Sequence, residues 1–255
     1  MGALVRAWRQ RRRFSQLQLS NEAGVSARHL SFVETGRAQP SRQMLLRLAD
    51  VLEMPLRASD HLLLVAGYAP VHPERGLGDE PMAPVREAIQ LLLTGYEPYP
   101  AVVVDRMWTL VAANRALGLL TDGVAPQLLE APVNVLRLAL DPDGLAPRIV
   151  NLPQWRTHLL HRLAREAAAT ADPGLGELHR ELTALPGGQD LAVPPEVIAV
   201  PLRVRHDGGE LAFLSTVTTF GTAVDLTTAE LSIEAFLPAD AHTAATIRSL
   251  AAETS

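Results

Sequence analysis

The sequence predicts two joined units: an all-α five-helix domain built around a helix-turn-helix, and an α+β domain with an antiparallel sheet. Three observations predict it. Between Phe14 and Pro40, two short helices are each opened by a serine and closed by a glycine. Between Tyr68 and Pro84, Pro70, Pro73, Pro81 and Pro84 with Gly76 and Gly78 block regular pairing and read as a linker. Beyond residue 196, three β-rich runs follow one another, the first two joined by His206-Asp207-Gly208-Gly209, a hairpin turn. A chain of 255 residues exceeds the size of most single cores, so two domains fit.

In the first unit, Leu4, Val5 and Trp8 with the run Arg9 to Arg13 predict an amphipathic helix ending in positive charge. Ser15, with Gln18 three residues on, is a capping box that opens a second helix. Gly24 stops it, since glycine adopts the left-handed conformation without steric penalty. Ser26 caps a third helix, with Leu30 and Val33 facing inward and Ala27, Arg28, Ser31 and Phe32 facing outward; Gly36 ends it. Ser41 caps a fourth, in which Leu45, Leu48, Ala49 and Leu52 recur at helical spacing. A fifth covers 56–66 and stops at Gly67. A capped helix, a glycine turn and a second helix with a basic outer face form the arrangement that enters a DNA major groove.

These residues carry a resemblance. The segments SQ..L, AGVS..HLS, E.GR..PS and LLL.AGYAP occur together and in order over about 65 residues, and the region resembles the XRE (Cro and lambda-repressor type) DNA-binding domain. The expected division is 1–69 for that domain, 70–84 for the linker and 85–255 for the second domain. The resemblance implies double-stranded operator DNA as partner. It places Gln16 at the start of the motif's first helix, bonding a phosphate through its amide and the helix N-terminus. It places Ser26, Ala27, Arg28, Ser31 and Phe32 toward the duplex. Arg28 is the candidate for a forked contact to guanine O6 and N7, while Ala27 and Phe32 offer apolar surface to a thymine methyl. Arg37 and Arg42 are expected to hold the phosphate backbone. Glu34 is expected to be an internal hydrogen-bond anchor, and His29 a packing or backbone-contacting residue.

Charge agrees. Residues 1–75 carry 11 arginines against 6 carboxylates, a net +5, whereas the rest of the chain carries −10, so overall acidity hides a basic module. All 23 cations are arginine; that exclusivity reads as genome composition, and no function is drawn from it. With no cysteine, disulfides and thiol chemistry are excluded. Neither a signal peptide nor an apolar run of about 20 residues is present, so a cytoplasmic protein without membrane attachment is expected.

The second unit reads as a helix over 85–93, a turn at YEPYP, and strands over 101–105 and 109–113. An Asn114-capped helix to Leu120 follows, then an apolar piece over 135–140 and the turn DPDG. Helices over 155–169 and 175–185, strands over 197–205, 210–220 and 227–237, and a closing helix over 239–252 complete it. Strand, tight turn, strand and Asn-capped helix is how a PAS-type sensor core opens, and sheet with segregated helices suggests an α+β sensor fold. The stretches YPAVVVDRMWTLVAANRALGLL, NVLRLALDP and WRTHLLHRLAREAAATADPGLGELHRELTAL are similar to the MmyB-like ligand-binding domain, whose members join an XRE domain to a PAS-like sensor. The family usually carries an aromatic segment around a Trp and a His after the second of these helices; here PGGQDLAVPPEV replaces it. The resemblance implies a small hydrophobic ligand, fatty-acid-like or other, between sheet and helices; no cofactor is expected. Trp108, Leu110, Leu136, Trp155, Leu159 and Leu163 are the candidate lining, with the two tryptophans read first as core anchors.

No catalytic set emerges, and an enzyme is not expected. Ser215 and Ser232 lie in strand patterns without a Gly-x-Ser-x-Gly elbow, and no glycine-rich phosphate loop is present. His158, His161 and Glu166 have a spacing that suits a metal but arises by chance, and read as solvent-exposed; no metal is assigned. The resulting expectation is a homodimeric, ligand-responsive transcriptional regulator. The alternatives are a DNA-binding protein whose second domain only dimerises or binds another protein, and an enzyme with a DNA-binding head.

Overall fold

The computed structural model describes residues 1–190 and 199–253, which group into two units. One comprises residues 1–75 with 223–226, the other 76–222 with 227–255. The first holds α1 (Gly2–Arg11), α2 (Gln16–Glu22), α3 (Ala27–Glu34), α4 (Arg42–Val51) and α5 (Leu56–Val65). The caps are those the serines encode: Ser15 with Gln18 in a full capping box, Ser26 accepting from the His29 amide, and Ser41 accepting from the Met44 amide. Gly24 turns α2 into α3 at φ +64°, a conformation that penalises any β-carbon. Gly2 is needed for another reason: a β-carbon there would lie 2.3 Å from the Val33 carbonyl oxygen, so α1 packs tightly on the end of α3. Val5, Trp8, Leu19, Leu30, Val33 and Leu45 form the core between the helices.

The second unit begins with α6 (Ala83–Tyr96), β1 (Ala101–Val104), β2 (Leu110–Ala113), α7 (Gly118–Thr121) and α8 (Val135–Leu140). It continues with α9 (Leu152–Thr170), α10 (Pro173–Ala184), β3 (Leu202–His206) and β4 (Gly209–Thr219). The chain then forms α11 (Leu226–Ala229), β5 (Ser232–Pro238) and α12 (Ala241–Glu253). The strands make one antiparallel sheet in the order β2-β1-β5-β4-β3. Alternation along each strand gives the sheet two covered faces. Ala101, Val103, Ile233 and Ala235 pack with Ile89 and Leu93 of α6. Val102, Val104, Leu202, Val204 and Phe213 pack with Leu136 of α8, Leu159 and Leu163 of α9, and Leu178 of α10. The β3–β4 hairpin turns through Asp207 and Gly208, both at positive φ, as a tight two-residue turn requires.

The architecture is the expected one, an all-α five-helix unit followed by an α+β PAS-like domain, with four local differences. Asn114 does not cap a helix; its Oδ1 accepts from the Ala101 amide and its Nδ2 donates to the Leu93 and Tyr99 carbonyls, tying β1 to the preceding chain. The residues after it form a 3-10 turn over Arg115–Leu117 and then the single turn α7 rather than one helix. The strand expected over 197–205 begins at Leu202; residues 197 and 198 lie outside the described residues, as does most of the PGGQDLAVPPEV segment. The strand expected from Thr227 begins at Ser232, because Leu226–Ala229 make a helical turn first. β-Branched composition alone does not separate a turn rich in threonine from a strand.

Candidate nucleic-acid interface and ligand cavity

The outer face of α3 is held by a buried ion pair behind it. Arg9 of α1 is 9% exposed and Glu34, the last residue of α3, 7%. Arg9 Nε donates to Glu34 Oε1 at 2.6 Å and Arg9 Nη2 to Oε2 at 2.9 Å, a forked geometry. Gln16 at the start of α2 donates from Nε2 to Glu34 Oε2 at 2.8 Å. Burial pushes the Glu34 pKa up, but the hydrogen bonds from Arg9 and Gln16 and the charges of Arg9 and Arg6 outweigh it and hold the carboxyl below its ordinary range. The same pairing raises the Arg9 pKa, against burial. One carboxylate therefore joins α1, α2 and α3, and Glu34 is the internal anchor expected from its place in the motif.

The candidate DNA residues surround this anchor. Arg28 is exposed, and its guanidinium lies 5.4 Å from the Phe32 ring centroid one turn along α3. Ala27, Ser31 and Phe32 are half-buried on the same helix, and Ser26, at its N-cap, is exposed. Arg37, in the loop after α3, and Arg42, the first residue of α4, are exposed. Neither they nor Arg28 has an acidic partner within 4.0 Å among the described residues. Gln16 is half-buried, its amide nitrogen engaged with Glu34. The basic run of α1 divides: Arg9 is internal, and Arg12 donates to the Leu52 and Glu53 carbonyls beyond α4. Sequence alone does not separate these structural arginines from the unpaired ones, because all carry the same charge.

In the second unit a cavity of about 90 Å³ lies between the sheet and α7, α8 and α9. Trp108, Leu110, Leu136, Trp155 and Leu159 line it together. Leu163 does not; it is fully buried in the adjoining core. Both tryptophans serve as core and as wall, at 4% and 3% exposure. Trp108 holds a positive φ of +63°, an unusual backbone for a bulky side chain. Its ring is fixed on two sides: Nε1 donates to Glu166 Oε2 at 2.9 Å, and the Arg162 guanidinium sits 4.4 Å from its centroid. Arg162 also donates to Glu166 at 3.1 Å and to Glu234 Oε1 at 3.2 Å. Ser215 donates to the same Glu234 oxygen.

Glu234 is the charged residue among the lining residues that the sequence does not announce. Its signal is an acid inside the apolar run LSIEAFLP, two residues from Phe236 and so on the same strand face. The histidines do other work. His158 is half-buried and stacks on Trp155 at 5.5 Å, rather than standing in solvent. Burial, with the nearby charges of Arg162, Arg165 and His161, lowers its pKa. His161 is exposed, and Glu166 is committed to Trp108 and Arg162.

Residues 85–250 match the family described as MmyB-like transcription regulator ligand binding domain. The chain belongs to that family. Residues 1–62 match a helix-turn-helix domain family, so this member is a DNA-binding transcription regulator with a ligand-binding domain. No curated protein matches the chain. A solved SinR protein/SinI protein complex contains a chain 20% identical to this one, over 38% of this chain and 82% of that chain, with a TM-score of 0.22. At that score the likeness carries no argument. Among the described residues no helix is long and apolar enough to cross a membrane.

Proposed function

We propose that this regulator binds operator DNA as a homodimer through α3 and senses a small hydrophobic, fatty-acid-like molecule in its PAS-like domain, changing operator affinity in response. Residues 1–69 act as the DNA-binding domain, 70–84 as linker and 85–255 as sensor, in the cytoplasm and without catalysis. Arg28 reads a guanine, Ala27 and Phe32 meet apolar base edges, Ser26 and Ser31 approach the groove, and Gln16, Arg37 and Arg42 hold phosphates. Two copies place their recognition helices on half-sites about one DNA turn apart.

The observation that carries the sensor reading is the cavity lined mostly by apolar side chains, Trp108 and Trp155 among them, and walled by α8 and α9 in a domain of the ligand-binding family. At about 90 Å³ it is smaller than the roughly 150 Å³ that takes a benzene. A chain-like ligand therefore has to displace wall side chains, and the bound and free states differ in structure. That difference is the condition for signalling, since a ligand of equal affinity for two states shifts neither.

The test is mass spectrometry of the denatured purified protein together with a thermal-shift screen of medium- and long-chain fatty acids, followed by operator affinity with and without the best ligand. A co-purified lipid or a saturable stabilisation, coupled to a change in operator affinity, supports the reading. Repeated absence of both leaves a domain that only dimerises or binds protein, and overturns it.

A further inference from the structure

An aliphatic acid has two ends with opposite needs, and the inner cavity serves only one of them. Glu234 is the one charged residue in its described lining. An ionised carboxylate placed there loses its water and meets a like charge, both unfavourable. The charged end needs another place, and one adjoins the cavity. A groove of about 400 Å³ lies between α9 and β4, lined by His158 and Arg162 on the helix and by Ser215 and Val217 on the strand. Its described lining holds no acidic side chain. Cavity and groove share a wall: Arg162 and Ser215 line the groove, Glu234 lines the cavity, and both donors meet Glu234 at the same oxygen, Oε1. The sheet register agrees, since Val217 stands directly across from Glu234 and Ser215, two residues before Val217, shares that face. The groove side of this wall is cationic. Burial first, and then the charges of Arg162, Arg165 and His161, lower the His158 pKa, with no acid among the causes.

We propose that this groove is a head-group site: an aliphatic acid sets its carboxylate against Arg162 and His158 and runs its chain through the shared wall into the inner cavity. The inference rests on the reading that the cavity takes a fatty-acid-like molecule, and it adds where the acid's charge is held and from which side the chain enters. Arg162 exchanges Glu234 for the ligand's carboxylate, a partner of the same kind, while Glu234 keeps Ser215. This wall yields because it is a polar contact between separate elements, whereas most of the remaining lining belongs to the packed core. The room agrees as well, since the cavity alone, at about 90 Å³, is too small for a chain.

The experiment titrates the full-length protein calorimetrically with decanoate and with decan-1-ol, equal in chain and different in head, at neutral pH and low salt. Val217 is 46% exposed, so a charge placed there stands at the groove without disturbing the core. Val217→Glu should weaken decanoate about fivefold and Val217→Arg strengthen it by a similar factor, the scale of one half-exposed ion pair. Decan-1-ol should change by less than about twofold in either variant. Thr216→Glu, exposed on the opposite face of β4, is the control and should leave both ligands unchanged. Decanoate that binds but is indifferent to both Val217 charges, or is weakened as much by Thr216→Glu, overturns the head-group site and leaves the cavity reading standing. Both ligands shifting together at Val217 means that the groove only shapes access, and overturns the placement of the carboxylate. If neither ligand binds the wild type, the cavity reading itself fails and this inference with it. Should one Val217 variant not fold, the other decides alone.

Discussion

Replacing Glu34 with alanine removes the group that ties α1, α2 and α3 together, and the size of the loss follows from the contacts. Three hydrogen bonds disappear, two of them the forked Arg9 pair, and Arg9 and Gln16 are left without their acceptor. Breaking one side of a fully buried ion pair costs about 3–5 kcal/mol. The Arg9 side chain keeps 11% of its surface in solvent and still donates to the Phe14 carbonyl at 2.9 Å. Part of its charge is thus rehydrated, and about 2–3 kcal/mol is the expected loss. In a helical unit this small that corresponds to roughly 10–20 °C in melting temperature. Amide hydrogen exchange on the full-length protein reads it directly, as a fall in protection across the five-helix unit, which shares one core, while the sheet domain is unaffected. Because the Glu34 pKa is depressed, its contribution is fully present above the ordinary value of 4.5 and fades as pH falls below it. Exchange protection in α1–α3 should weaken accordingly in wild type and not in the variant. Protection unchanged within about 0.5 kcal/mol would refute the assignment of Glu34 as the anchor of this domain.

Other outcomes follow from the same geometry. Arg28→Ala should relax base preference at one operator position at a cost of about 1–3 kcal/mol, whereas Gln16→Ala should weaken binding to all duplexes alike; footprinting on specific and random DNA separates the two. Ser26→Ala removes the acceptor for the His29 amide and should destabilise the first unit by about 1 kcal/mol, read in urea unfolding. The lowered His158 pKa, set first by burial, means that folding favours the neutral ring over the charged one. Its contribution is present above the ordinary value of 6.5 and is lost as pH falls through that range, and His158→Phe, which retains the stack on Trp155, should flatten this slope in thermal melts. Leu163→Ala should destabilise the ligand-binding domain by about 2–5 kcal/mol, because its side chain is fully buried in the core beside the cavity.

The first unit is legible in the sequence because its decisions are local. Ser15, Ser26 and Ser41 each cap within three residues, Gly24 fixes one turn, and the inward leucines repeat at helical spacing. The second unit is less so, since its register depends on pairing between distant strands. Nothing near Val102 announces that it faces Glu234, 132 positions later. Asn114 shows the same limit: its sequence neighbourhood suggests a cap, while its partners lie on β1 and at the end of α6. In the cavity, Trp108, Trp155 and the leucines of α8 and α9 are visible as large apolar groups. Leu163 matches them by pattern, because it lies about one turn beyond Leu159 on the same face of α9, and distance along the helix rather than facing separates the cavity from the adjoining core. The polar wall stayed hidden because Arg162, Ser215 and Glu234 come from three separate elements.

Duplex binding by the full-length protein, measured by fluorescence anisotropy across a salt series with DNA selected from a random pool, addresses the DNA-binding role of Arg28 on α3 and of Arg37 and Arg42 after it most directly. The account predicts saturable binding that weakens as salt rises, with the logarithmic slope falling by about one for each of Arg37→Ala and Arg42→Ala. No saturable binding to any selected duplex, or a slope indifferent to both replacements, would contradict it.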